Sequence, residues 1–479
     1  MPSGHKDLGD DKTLRAAAPF ILVTVFLDML CIGIIAPVLP QLILSFVGSS
    51  VSVASLWTGV FGCVWGLAQF FFSPIQGALS DHFGRRPVVL ASNFGSGVDL
   101  IFMAVAPNLW WLLIGRVVSG ITAASISTAY AYMSDVTEPH QRARVFGWMG
   151  ASFGASFIMG PTLSAGLVLV APGVGTALGT VGHAIGASGL SAWLISFSRH
   201  PEIVVQRLPF VVAGALSLIN FLYGFYVLPE SLPPEKRQAF SLHTANPIGA
   251  VKFLSRSRQV LRLAVMYLVI YFAQSVFPTT FVLYAKYRFN WGPSQVAMCL
   301  AAIGIMTGAV QGGLTGRVVK AVGERNAMFI GLLCGAAAFL GYALTPTWWA
   351  FVLFLPVSSL WGLAAPNIQA LMSANVDPKE QGVLQGSNAS LSSAANIVAP
   401  LAFGALLAYV TRPGVQPILS GACFAVAGLC LLATLWLGLG VRQGMKPTSS
   451  QASGSPEPNA LSPDHTLAPR RSRSGTDQV

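Results

Sequence analysis

The sequence predicts an all-α membrane protein of twelve transmembrane helices, arranged as two six-helix bundles related by a pseudo-two-fold repeat. Three observations carry that expectation. Hydrophobic residues make up 53% of 479 and charged residues only 9%, where a soluble domain carries about 25% charged residues. Twelve apolar stretches are each long enough to cross ~30 Å of hydrocarbon. A single shift of 239 residues places motifs of the first half on motifs of the second.

The first stretch, 17–40, follows a charged N-terminal segment, 1–16, that lacks a signal-peptide cleavage pattern, so it is expected to begin the membrane domain and be retained. It holds Asp28 eleven residues before Leu39, near mid-bilayer. A charge there costs at least ~2.5–3.5 kcal/mol and normally faces a protein interior or a water-filled path. Asp28 is therefore a candidate to take a proton or to meet a cationic substrate group. Pro37 and Pro40 should kink the outer end of this helix.

Stretches 53–76 and 87–106 are joined by Gly77-Ala-Leu-Ser-Asp81-His-Phe-Gly84-Arg85-Arg86-Pro87. The glycines permit a sharp turn, and Pro87 suits the first turn of the next helix. Asp81 and Arg85 can pair locally and act on the partial charges of nearby helix ends, a latch able to hold one conformation shut. Asp99 lies seven residues before Ala106, and Arg116 six residues after Trp110 in stretch 110–133. Both thus sit ~9–11 Å from the same membrane face, at equal depth, as either a structural ion pair or a coupled charge pair.

Stretch 145–170 carries Ser156, Gly160, Pro161 and Ser164 after Gly147, small residues that allow close helix approach with a bend at Pro161. The insertion 171–207, rich in Gly, Ala and Ser, reads as a re-entrant segment, a surface-lying segment or a loop. Stretch 208–228 completes an N-terminal bundle spanning 17–228. A polar, Pro-bearing cytoplasmic linker, 229–259, leads to the C-terminal bundle, 260–440, with stretches 260–284, 294–316, 326–344, 347–373, 382–408 and 416–440. The Ser/Pro-rich tail, 441–479, has a composition unable to bury a core and is expected to be disordered.

The net charge of +11 follows topology. Twenty-two of the 28 Lys and Arg fall on the side of the termini, five on the other, and Arg116 lies within a span. The positive-inside rule then makes both termini cytoplasmic, and no polyanionic partner such as nucleic acid is implied. The six cysteines all fall in spans without the spacing of a zinc or redox site. None of the seven histidines lies in a span, which counts against an intramembrane enzyme.

The 239-residue shift sets Gly77 on Gly316, Gly84 on Gly323, Met133 on Met372, Pro139 on Pro378, Gly147 on Gly386 and Pro161 on Pro400. One register over so many positions marks an internal duplication, an arrangement in which a substrate site lies between the halves near the midplane.

The 77–87 loop resembles the signature loop of the major facilitator superfamily, and its Gly-Ala-Leu-Ser-Asp and Phe-Gly-Arg-Arg-Pro pieces are close to those of tetracycline/proton antiporters. The likeness extends through Ala36-Pro-Val-Leu-Pro40, Ile114-Gly-Arg116-Val-Val-Ser-Gly120, Gly160-Pro161, Leu228-Pro-Glu-Ser231 and Gln381-Gly-Val-Leu-Gln-Gly386. It covers nearly all of 17–440 outside the insertion. The resemblance implies that Asp28 and Asp99 are protonatable coupling residues, that Arg116 assists proton transfer, and that Gly77, Asp81, Gly84, Arg85 and Arg86 form a cytoplasmic gate. It also departs from the pattern. The acid of helix 9 falls at Gly335, a helix 8 histidine falls at Thr307 beside a retained Gln311, and no charge lies between Gln41 and Val53. Those departures point to another amphipathic substrate or to different coupling.

The expected function is alternating-access transport of a small amphipathic compound, a proton-coupled efflux acting as a monomer in the inner (plasma) membrane. No cofactor beyond the proton gradient is expected. Gln69, Gln311 and Asn367 are candidate polar groups of the substrate cavity. Two alternatives stay open: a symporter or uniporter importing a small solute, and a polytopic receptor or sensor without transport.

Overall fold

A computed structural model describes residues 8–123, 125–137, 142–185, 195, 198–237, 253–376 and 380–441. Every regular element among them is helical. Ten helical stretches are long and apolar enough to cross a membrane. The longest, Pro293–Leu344, turns at Gly323 and contains two crossings. Leu109–Thr122, continued by Ser125–Val136, supplies one more, so the described residues make the twelve crossings the sequence predicts.

Helix α1 (Leu8–Ile35) stops at the Ala36-Pro37-Val38 turn, and α2 (Leu39–Phe46) resumes with Pro40 in its first turn. The missing N–H and fixed φ of proline account for both the break and the restart. Ser50 caps α3 (Val51–Phe83) through its side chain, 3.4 Å from Val53 N. At Gly84 the backbone takes φ 107°, ψ 162°, and α4 (Arg85–Val105) begins at once. Gly323, its counterpart under the 239-residue shift, takes φ 80°, ψ 163°. This left-handed backbone favours glycine, and its recurrence at equivalent places is the repeat expressed as geometry.

Asn108 Oδ1 caps α5 (Leu109–Thr122) by accepting from Trp110 N at 3.1 Å and Trp111 N at 3.2 Å, which satisfies two orphan donors of the helix end. Helix α6 (Ser125–Val136) completes the fourth crossing. Helix α7 (Arg142–Ile185) runs for 44 residues, roughly 66 Å at 1.5 Å per residue and about twice the hydrocarbon thickness. The first part of the 171–207 insertion, as far as Ile185, is thus a helical continuation of the fifth crossing. Helix α8 (Pro201–Val227) returns; most of 186–197 and the linker residues 238–252 lie outside the described residues, as does the tail from 442.

In the second half, α9 (Arg258–Gln274) and α10 (Val276–Phe289) form the seventh crossing, and α11 (Pro293–Ala309) passes through a π turn at Val310–Leu314 into α12 (Thr315–Leu344). The tenth crossing is assembled from α13 (Trp348–Leu353), α14 (Leu355–Ser359) and α15 (Ala364–Ser373). Helices α16 (Gln381–Val410) and α17 (Ala422–Gly438) finish the fold. Phe281 and Tyr284 of α10, Tyr342 of α12, Phe351 of α13 and Phe424 of α17 form an aromatic core of this half, with the Tyr342 and Phe351 rings stacked at 4.1 Å.

Helices of the two halves meet along two seams, α3 against α16 and α7 against α11. The 239-residue shift maps the fifth crossing onto the eleventh, so the two seams are mates under the repeat. The first is tight near residues 59–66. A Cβ at Gly59 would lie 2.5 Å from Pro400 O, and one at Gly66 would lie 2.8 Å from Asn396 O. Ser52 Oγ donates to Ala408 O at 2.6 Å near the far end. Toward the turn at Gly84 the packing disappears: a Cβ at Gly77, Gly312, Gly313, Gly316 or Gly386 would meet nothing within 4 Å. The α3–α16 seam is thus in contact at the end of Ser52 and Ala408, while these glycines toward the Gly84 and Gly323 turns face open space.

Candidate functional site

A cavity of about 400 Å³ lies between the halves, within the range of small-molecule sites. The first half contributes Asp28, Trp65, Asn93, Arg116 and Ser119 to its wall, and the second half Tyr271, Gln274 and Asn396. Asp28 and Arg116, singled out in the sequence as isolated charges, thus line one cavity. The remaining wall is largely aliphatic and aromatic, including Met29, Ile32, Ile35, Phe61 and Pro400. A cavity so built suits an amphipathic solute: apolar area for contact, few polar groups for orientation, and charges of both signs.

Asp99 sits just behind this wall. It is 3% exposed, and Ser119, one turn from Arg116 on α5, donates its hydroxyl to Asp99 Oδ2. No ion pair joins Asp99 to Arg116. The guanidinium carbon of Arg116 lies instead 5.6 Å from the centre of the Trp65 ring, within cation–π reach. The equal depth expected from sequence places the two charges near each other, while the direct partner of each is a different side chain.

The remaining polar candidates stand elsewhere. Gln69, Gln311 and Asn367 are not on the cavity wall. Asn367 is 3% exposed and donates its Nδ2 to Leu363 O at 2.7 Å, back onto its own helix, so its amide is satisfied without a ligand. The Gln311 side chain lies near Gly362, where an added Cβ would come within 3.3 Å of it. The groups that take the wall places, Gln274, Asn396, Tyr271 and Asn93, carry no charge and interrupt no motif, so the sequence offers little to mark them.

The turn between α3 and α4 is a compact charge cluster. Arg85 pairs with Asp81 at 2.5 Å and with Asp135 of α6 at 3.0 Å. The Glu230 carboxylate, at the end of α8, accepts from Arg85 N at 2.8 Å and from Arg86 N at 3.3 Å. An anion at the N-terminus of α4 satisfies orphan donors and meets the positive end of the helix dipole. Gly84 is required here on a second ground, because a Cβ would strike the Glu230 carboxylate. Arg86 donates to Phe225 O at 2.7 Å. Its counterpart under the repeat, Arg325, donates to Leu439 O at 3.2 Å. In each half the arginine after the turn thus ties the third helix to the end of the sixth. Asp135 and Glu230 were not singled out from sequence; Glu230 lies in the Leu228-Pro-Glu-Ser231 element that supported the family resemblance.

Gly160 and Pro161 mark the crossing of α7 with α1. A Cβ at Gly160 would lie 2.6 Å from Gly33 Cα, and one at Gly33 3.0 Å from Gly160 Cα. The helices therefore touch backbone to backbone, and the Ser156 hydroxyl lies 2.7 Å from Phe26 O one turn away. Serine at this place keeps close packing and adds a hydrogen bond across the seam.

A family model for the Major Facilitator Superfamily matches residues 21–400 and 265–470. Tetracycline resistance protein, class C, of Escherichia coli is 36% identical over 392 residues, covering 81% of this chain and 89% of that protein. The class B protein of Escherichia coli is 30% identical over 399 residues, covering 82% and 89%. Among solved structures, a bacterial homolog of the human lysosomal transporter Spinster, in an inward-facing and unoccupied conformation, superimposes with a TM-score of 0.65 at 18% identity, covering 90% of this chain and 95% of that one. With its helical crossings, its inter-half cavity and these matches, the chain belongs to the Major Facilitator Superfamily and is a multi-pass membrane transporter of a small molecule.

Proposed function

We propose that this transporter exports a small amphipathic compound in exchange for protons, working as a monomer with both termini cytoplasmic. One observation carries the reading: an otherwise apolar cavity between the halves holds Asp28 and Arg116, with Asp99 one hydroxyl behind its wall. An intramembrane acid is costly to keep unless it serves a solute or proton path. The two six-helix bundles rock about the cavity. The structure then corresponds to the inward-facing stage, sealed outside by the seam at Ser52, Gly59 and Gly66, with the Asp81–Arg85–Asp135 cluster acting as the latch at the open end.

The relatives named for tetracycline resistance support drug efflux as the direction. The substrate differs from tetracycline in at least one contact. At Gly335, where the resemblance sets an acid, an added Cβ would lie 2.8 Å from the Trp361 ring and 2.9 Å from Leu431. The place is filled by the indole, and no carboxylate fits without repacking. The test is transport by purified protein in liposomes with an imposed pH gradient, screened over a panel of amphipathic drugs that includes tetracycline. Gradient-driven accumulation of a member of the panel, with tetracycline a poor substrate, supports the reading. Transport that ignores the gradient, or preference for tetracycline, opposes it.

A further inference from the structure

Besides the cavity, Asp28 meets a fully buried amide. Asn220, on α8, is 0% exposed. Its Nδ2 lies 3.3 Å from Asp28 Oδ1 and 3.4 Å from Thr24 O, both on α1. Its Oδ1 has no hydrogen-bond partner among the described residues. One turn away Ser217 Oγ donates to Asn93 O at 3.0 Å, so α8 is pinned to α4 beside the same cavity wall.

A primary amide presents a donor at one end and an acceptor at the other. A carboxylate calls for the donor, and a carboxylic acid, whose hydroxyl must donate, calls for the acceptor. An orphaned acceptor buried among apolar side chains is destabilising and rare. It gains a partner when the neighbouring acid carries a proton and the amide turns Oδ1 toward it, which frees Nδ2 from Asp28 and Thr24 O. We propose that Asn220 is a positioning residue of the Asp28 proton site. It donates through Nδ2 to the carboxylate and, after half a turn of the amide, accepts through Oδ1 from the acid. The proton arrives from the cavity and stays on Asp28; the amide neither gains nor loses one.

Other polar and titratable groups among the described residues also stand on the elements around Asp28. Arg116 of α5 and Tyr271 of α9 line the same cavity. Cys31, one turn along α1, gives its thiol to Ala213 O at 3.3 Å. Asp99 of α4 is bonded to Ser119. Helix α6 carries Tyr130, Tyr132 and Asp135, of which Tyr132 donates to Pro229 O at 2.9 Å and Asp135 pairs with Arg85, both at the turn end. On α7, Ser156 turns to Phe26 O.

The inference rests on the proton-coupled reading, and the experiment separates the two. The full-length protein in lipid discs is titrated with pH while the protonated-carboxyl infrared band is followed, Asp28→Asn identifying the contribution of Asp28. Asn220→Leu, of similar volume, removes donor and acceptor together. A carboxylate that loses a buried donor takes its proton at higher pH, so the Asp28 band should shift upward by about one pH unit or more. Asn220→Ser, which keeps a donor and an acceptor and guards against misfolding of the leucine variant, should stay closer to the parent value. A band in either variant that titrates as in the parent for Leu, or moves as far for Ser as for Leu, overturns the proposal, as does a parent protein with no Asp28 band. A shifted band in a protein whose transport ignores the pH gradient would retain the role of Asn220 and discard proton coupling.

Discussion

Ser119 donates its hydroxyl to Asp99, while Arg116, three residues earlier on the same helix, lies over the Trp65 ring at 5.6 Å. Ser119 lines the cavity and Asp99 does not. The serine is therefore the polar link between a buried acid and the solute space, and the arginine keeps its charge turned to the cavity.

Replacing Ser119 by Ala should leave the protein folded and lower gradient-driven transport roughly tenfold, the weight of one hydrogen bond to a charged group. Asp99→Asn should do the same, and the double variant should be no worse than either alone. Initial rates in proteoliposomes at several pH values measure this; additive losses would show that the two residues act separately.

Asp81→Asn should cripple turnover without affecting membrane insertion. The carboxylate is one of two paired with the Arg85 guanidinium, at 2.5 Å, with Asp135 the other at 3.0 Å. Losing it leaves the cluster short of one negative charge next to the N-terminus of α4. Normal rates at equal expression would remove the latch from the mechanism.

Gly160→Val should destabilise the protein by about 1–3 kcal/mol, the usual range for overpacking, because its Cβ would lie 2.6 Å from Gly33 Cα and both partners are backbone. Gly386→Ala, at a glycine with nothing within 4 Å, should leave stability unchanged. Thermal unfolding followed by size-exclusion chromatography in detergent compares the two.

Cysteines at Ser52→Cys and Ala408→Cys, in a background lacking the six native cysteines, should be bridged by a short, reducible bifunctional thiol reagent, since the two residues meet across the seam, Ser52 Oγ donating to Ala408 O at 2.6 Å. The bridge locks the sealed end and should stop transport until a reductant restores it. Undiminished transport by the linked pair would mean that this seam does not open during the cycle.

Composition and the length of apolar runs made the crossings legible, because a bilayer imposes the same length on each. The 239-residue register sets Gly84 on Gly323, and the structure gives the two the same left-handed backbone. Isolated charge likewise led to Asp28 and Arg116, which meet in one cavity, because burying an ion leaves few alternatives. Neutral polar residues obey no such rule. Asn367 and Asn396 look alike in sequence, yet one bonds its own helix and the other faces the cavity; only the helix rotation decides. Glu230 was similarly hidden, since its partners Arg85 and Arg86 are some 140 residues away. Gln274 follows from the break at Ser275 between α9 and α10, which the apolar run does not announce.

The central claim is that the acid in the cavity couples solute movement to protons, and Asp28 tests it most directly. Purified parent protein and Asp28→Asn are placed in liposomes with an identified drug substrate and an imposed pH gradient. The parent should move drug against its concentration gradient and carry protons the other way. The variant should lose dependence on the pH gradient altogether, whether or not downhill movement of drug remains. Gradient-driven uphill transport by Asp28→Asn at the parent's rate would contradict the account and put the coupling site elsewhere.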